Sequence, residues 1–141
     1  MTSLNLTLNI HKSLWLTSNK REHWAVAHTR KKQIKKDAYF TALAAIRMAG
    51  LTPSVWSDER PCVVTVAVAI PTRHLFDPAN AEPTVKAAID GFTDAGMWSD
   101  DNRKVVRAVT YTSAGQRAPK GCYTLDFTIA DIPSAQHEEE A

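Results

Sequence analysis

The stretch from Cys62 to Ile70, CVVTVAVAI, lies between Pro61 and Pro71 and constrains this chain more than any other segment. Nine residues rich in β-branched side chains predict an interior strand. The same run is the longest apolar candidate in the sequence, contains Thr65, and is far too short to cross a bilayer. The remaining segments must therefore supply a sheet around this strand and a layer to cover it. A chain of 141 residues, 44% apolar and 23% charged, has the size and composition of one soluble domain that buries its core without staples.

Periodicity places those partners. Leu4, Leu6, Leu8 and Ile10 alternate with polar residues, the pattern of a half-buried strand. A polar loop follows from His11 to about Glu22. Residues 24 to 49 contain neither Gly nor Pro and predict a helix closed by Gly50, with Ile34, Ala38, Leu43 and Ile46 as its buried stripe. Leu51 to Pro61 is a connector and Pro71 to Ala81 a loop. A second helix is signalled by Asn80 as cap, Pro83 in its first turn and Gly96 at its close. Val85, Ala88, Ile89, Phe92 and Ala95 form its apolar stripe, with Gly91 as a weak point. Lys104 to Thr112 and Cys122 to Ala130 read as strands, and the intervening SAGQRAPKG suggests an antiparallel pair.

The expected fold is thus α/β (α+β): a single domain over residues 1–131, with a mixed sheet of about four strands and two main helices packed on one face. Residues 132–141 are expected to form an acidic, disordered tail. The N-terminus lacks the basic start of a secretory signal. Cys62 and Cys122 lie far apart, without a CxxC, and read as buried free thiols in a cytoplasmic protein. Trp15, Trp24, Trp56 and Trp98 read as core.

The net charge of +2 conceals a strong division along the chain. Residues 11–47 carry nine Lys or Arg against Glu22 and Asp37, a balance of +7, whereas residues 77–101 carry six acids against Lys86, a balance of −5. A basic first third beside an acidic centre suits a protein that attracts a polyanion and places a cation on it. The bland alternative is a solvated helix face. Lys20, Arg21, Arg30, Lys31, Lys32, Lys35 and Lys36, with Arg73 nearer the acids, are the candidate phosphate contacts. No glycine-rich phosphate loop, HExxH or GxSxG motif is present.

The acidic centre holds Asp77 before the second helix and Asp100 and Asp101 after it. Loops at opposite ends of such a helix stand about 20 Å apart at 1.5 Å per residue. A shared metal site therefore requires the chain to fold back so that Asp101 flanks Asp77. Lys86 and Asp90 lie one turn apart, which allows either an ion pair or a free Lys86 charge.

The segment DPANAEPTVKAAIDGFTDAGMWSDD resembles the core of RusA-type Holliday-junction resolvases, the crossover-junction endodeoxyribonucleases, and specifically a phage-like member. The family pattern is DxDN, a helix carrying Lys and an AAxDAL-like run, then AGxWxDD. Asp77 and Asn80 match the first motif, Lys86 and Asp90 the helix, and Asp100 with Asp101 the closing pair. SNKREHW, from Ser18 to Trp24, is similar to the polar loop before the family's first helix. The resemblance covers Ser18 to Thr112, and its most specific part is DAGMWSDD.

The resemblance implies a magnesium-dependent endonuclease, with manganese as a substitute metal, that resolves four-way DNA junctions by paired nicks in recombination and repair. It implies a homodimer, cytoplasmic in a bacterial host if phage-encoded, with no membrane partner. Asp77, Asp101, Asp100 and Asp90 would be metal ligands, and Lys86 and Asn80 catalytic neighbours. Ala79 departs from the pattern, standing where the family has its second Asp, and the spacing to Lys86 is a few residues longer. That departure keeps a second reading open: a non-catalytic junction- or nucleic-acid-binding protein with a degenerate metal site.

Overall fold

The computed structural model describes residues 1–132. The elements follow one another as β1 (Ser3–His11), α1 (Trp24–Met48), β2 (Cys62–Ala69), a 3-10 turn (Pro78–Ala81), α2 (Glu82–Asp94), β3 (Val106–Ser113) and β4 (Cys122–Asp131). The four strands form one mixed sheet in the order β1-β4-β2-β3. β4 is antiparallel to both β1 and β2, and β3 is parallel to β2. The fold is α+β, as the periodicities predict.

The expected pairing of the last two strands does not form. Their connector instead crosses the end of β2, where the Ala114 amide donates to the Val68 carbonyl and the Ala118 amide to that of Ile70. β4 thereby enters the sheet on the far side of β2. Burial explains the choice: Leu125, Phe127 and Ile129 of β4 are almost fully covered, whereas Val109 and Tyr111 of β3 are only partly so. The more apolar strand takes the central slot, and β3 takes the edge.

Register puts the apolar residues on one face. Leu6, Phe127, Val66 and Tyr111 lie in one cross-strand row, while Asn5, Thr128, Thr65 and Thr110 form a row on the opposite face. Phe92 of α2 meets the Phe127 ring edge-on at 4.9 Å, so α2 covers the apolar face. Burying one such ring contributes on the order of 2–3 kcal/mol. α1 packs against α2 and β1. Its buried stripe is Ile34, Ala38, Ala42 and Ile46; Leu43 is only half-buried, one position off the stripe. Gly91 sits where α2 crosses α1, and a Cβ there would meet the Lys35 carbonyl oxygen at 2.3 Å. This glycine is the contact point of the two helices.

Three other expectations change. Trp15, Trp56 and Trp98 are buried, but Trp24, in the first turn of α1, is 76% exposed. Cys62 is buried, and desolvation, with the Asp131 charge beside it, pushes its thiol up to about 12; Cys122 is only partly buried. Ile132, assigned to the tail from sequence, is buried, and residues 133–141 lie outside the described residues. Asp131 ties the sheet to its connector by accepting from the Trp56 indole at 2.7 Å, the Thr2 amide at 2.8 Å and the Arg60 guanidinium. Burial alone would raise its pKa, but these hydrogen bonds and the Arg60 charge together hold it below the ordinary carboxylate value. No helix among the described residues is long and apolar enough to cross a membrane.

Candidate nucleic-acid and metal site

The turn before α2 is built by Asp77 rather than by Asn80. Asp77 Oδ1 accepts from the Ala79 amide at 3.0 Å and caps the 3-10 turn, and Ala81 precedes α2 with no side-chain cap. The segment between Asp77 and Lys86 contains this turn and the first residues of α2. Asn80 lies inside it, with its amide bonded to the Asp77 carbonyl and its own carbonyl accepting from the Ser18 amide. The loop before α1 is held to the same place by Thr84, whose buried hydroxyl accepts from the Leu16 amide at 2.9 Å and donates to the Leu16 carbonyl at 2.8 Å.

At the other end of α2, the DAGMWSDD segment owes most of its character to packing. Gly96 has φ +87, and Met97 and Trp98 are buried. Trp98 donates its indole N–H to Thr93 and pairs along the backbone with Trp56. Asp100 shapes the next turn: its Oδ1 accepts from the Asp101 amide and its Oδ2 from the Asn102 side chain. Asp101 is half-buried and faces a groove of about 330 Å³ between α2 and β3.

That groove supplies a residue the motif comparison does not single out. Glu82 and Lys86, one turn apart on α2, line it together with Asp101, Arg103, Arg107 and Tyr111. Desolvation first, and the nearby Glu82 charge second, push the Tyr111 hydroxyl up to about 12. Glu82→Gln is therefore expected to lower the Tyr111 pKa while leaving it above the ordinary tyrosine value, because burial remains. Ultraviolet titration of the phenolate checks this, and an unchanged midpoint would separate Glu82 from the groove. The sequence signal for Glu82 was available: it is the acid at i−4 from Lys86, in the first turn of a helix.

A second groove, of about 620 Å³, runs between α1 and α2. His28, Lys31, Lys32 and Lys35 form its α1 wall, and Glu82, Lys86 and Asp90 belong to the α2 wall. Glu82 and Lys86 therefore stand on the ridge shared by both grooves. Lys35 is paired with Asp94 at 3.3 Å, and Lys86 and Asp90 make no ion pair with each other. Of the other candidate cations, Arg30 and Lys20 both approach Glu22, at 2.9 and 3.4 Å, beside a separate cavity. Arg21, Lys36 and Arg73 are exposed and line neither groove.

The predicted acids are thus distributed: Asp77 on its turn, Asp90 between the helices, Asp100 in its own loop, and Asp101 opposite Glu82 and Lys86. Among the described residues, no three of His, Cys, Asp and Glu stand close enough together to hold a metal ion. Magnesium does not require three, since it keeps several waters and uses one or two carboxylates with substrate phosphate. Glu82 and Asp101, neither of them in an ion pair among the described residues, line the same groove. Compared with known proteins, the chain matches no family model, and no curated protein matches it.

Proposed function

We propose that this chain is a magnesium-dependent endonuclease of branched DNA, acting on four-way junctions. The observation that supports it is the shared ridge: Lys86 and Glu82 belong at once to a lysine-rich groove and to the groove that holds Asp101. A phosphate chain drawn to Lys31, Lys32 and Lys35 has to cross only that ridge to reach two carboxylates and an ammonium group. The resemblance of residues 77–101 to the resolvase core points to the same chemistry.

In this reading Glu82 and Asp101 would hold the metal, which when bound polarises a phosphodiester and lowers the pKa of an attacking water. Lys86 neutralises charge that builds on the phosphate oxygens. The lysines of α1 bind the backbone without reading sequence. Asp77 and Asn80 set the turn that aims the start of α2, and Asp100 sets the loop that carries Asp101. The two-fold symmetry of a four-way junction and the need for two nicks call for a homodimer.

The test is strand cleavage of a labelled four-way junction. Magnesium or manganese is expected to support cutting of the junction, a chelator to stop it, and a linear duplex of equal length to survive. Binding without cutting in either metal would instead support the second reading, a non-catalytic junction binder, which the dispersal of the predicted acids favours.

The groove assignment carries its own expectation. The double variant Lys31→Ala, Lys32→Ala should bind the junction at least about tenfold more weakly at moderate salt. The slope of log affinity against log salt should also fall by about two, one for each lysine removed from the phosphate chain. Fluorescence anisotropy over a salt series reads both quantities, and an unchanged slope would place the DNA elsewhere.

A further inference from the structure

The loop before α1 encloses a third cavity, of about 310 Å³, that the nuclease reading does not use. Its lining includes Trp15, Tyr123, Lys12, Lys20 and Arg30. Trp15 is 8% exposed and stacks on Tyr123 with ring centroids 4.2 Å apart and planes within 1°. Its indole N–H is the one buried side-chain donor or acceptor among the described residues without a hydrogen-bond partner. The other two buried tryptophans are satisfied, Trp56 by Asp131 and Trp98 by Thr93. A buried donor left unpaired costs about 1–3 kcal/mol, so Trp15, which lines this cavity, calls for an acceptor.

The charge around it is positive. Three cations line the cavity against one acid, Glu22. Glu22 engages Arg30 through Nη1 alone, which leaves further donors on the guanidinium fork, and Lys12 has no ion pair among the described residues. An arginine fork beside two ammonium groups matches the several oxygens of a phosphate better than a single carbonyl. The loop is also pinned to the turn at Asn80, next to the start of α2, so an anion here would lie close to the proposed nuclease grooves.

We infer that this cavity is a phosphate-binding site, in which Lys12, Lys20 and Arg30 hold the anion and the Trp15 indole N–H donates to one of its oxygens. The site stands on its own geometry and needs neither a metal nor cleavage. Its ligand is either a terminal phosphate monoester or an internal backbone phosphodiester, and the two sources can be separated.

The experiment follows the Trp15 indole N–H by heteronuclear NMR in the full chain, without divalent ions, and assigns it through its proximity to the Tyr123 ring. Inorganic phosphate and deoxyadenosine monophosphate are each expected to shift this resonance downfield saturably. Deoxyadenosine, and sodium chloride at matched ionic strength, are expected to leave it in place. The double variant Lys12→Ala, Lys20→Ala, altered only at exposed positions, should weaken the phosphate response at least tenfold. A thymidine dinucleotide with an internal phosphodiester, compared with thymidine 5′-monophosphate, then identifies the source. No shift with any phosphate would overturn the inference, leaving a buried water on the indole. A shift with the nucleoside as large as with the nucleotide would overturn it in favour of a base site.

Discussion

Gly91→Ala is expected to destabilise the protein by about 3 kcal/mol or more, at the upper end of what overpacking costs. The added methyl would stand 2.3 Å from the Lys35 carbonyl oxygen, 2.8 Å from the Ala38 Cβ and 3.0 Å from the Tyr39 amide nitrogen. Two of these three atoms belong to the backbone of α1, so no rotamer change can make room. The helices must separate along the contact, which also loosens Phe92 above Phe127. In an exposed helix the same change would stabilise by roughly 1 kcal/mol through propensity, so the two effects differ in sign. Since a domain of this size has a total stability of about 5–15 kcal/mol, the loss should be plain in a denaturant titration. A midpoint equal to or above that of the parent chain would show that α1 and α2 do not cross at this glycine.

The second large effect concerns activity. Asp101→Asn is expected to reduce junction cleavage by about 100-fold or more, the scale seen when a group that stabilises a transition-state charge is removed. Affinity for the junction in the absence of metal should be unchanged or slightly higher, because a negative charge facing the phosphates has been removed. Asp101 makes no backbone contact of the kind that commits Asp100, whose two oxygens hold the loop. The variant should therefore fold normally, and a loss of cutting cannot be ascribed to a misplaced turn. Glu82→Gln should behave alike, whereas Asp77→Asn, which retains a capping oxygen, should cost less than either. Single-turnover cleavage beside equilibrium binding separates the two quantities. Equal losses of cleavage and affinity would make Asp101 a structural residue.

The strength of the periodicities explains how much of the fold was legible. β1 and α2 alternate or repeat cleanly, and every residue assigned to their apolar faces is buried. α1 was nearly as clear, with Ala42 replacing Leu43 on its inner stripe. Strand pairing was not legible, because a turn-rich linker specifies that the chain reverses but not whether it reverses beside its neighbour or across the next strand. Trp24 misled for a related reason: residue type predicts burial only on average, and its place in the first turn of α1 leaves the ring in solvent.

The candidate site was legible as composition and not as geometry. Part of each block does face the other across the groove between α1 and α2, with Lys31, Lys32 and Lys35 on one wall and Glu82 and Asp90 on the other. Which acid meets which depended on the turn at Pro78–Ala81, invisible to a count of spacings. That turn commits Asp77 to the backbone and brings Glu82 onto the wall opposite Asp101. The DAGMWSDD segment shows the reverse. Its glycine, read as the close of α2, and its tryptophan, read as core, serve the packing that positions the acid after them.

A divalent ion seated between Glu82 and Asp101, beside Lys86, is what the proposed nuclease depends on, and its location can be read directly. Manganese added to the isotopically labelled chain, with a junction bound that carries a non-cleavable linkage, broadens the resonances of nearby nuclei. The amides around Glu82, Lys86 and Asp101 are expected to broaden first, and Asp101→Asn to abolish the effect. Broadening centred on Asp77, or at no defined place on the protein, would contradict that placement.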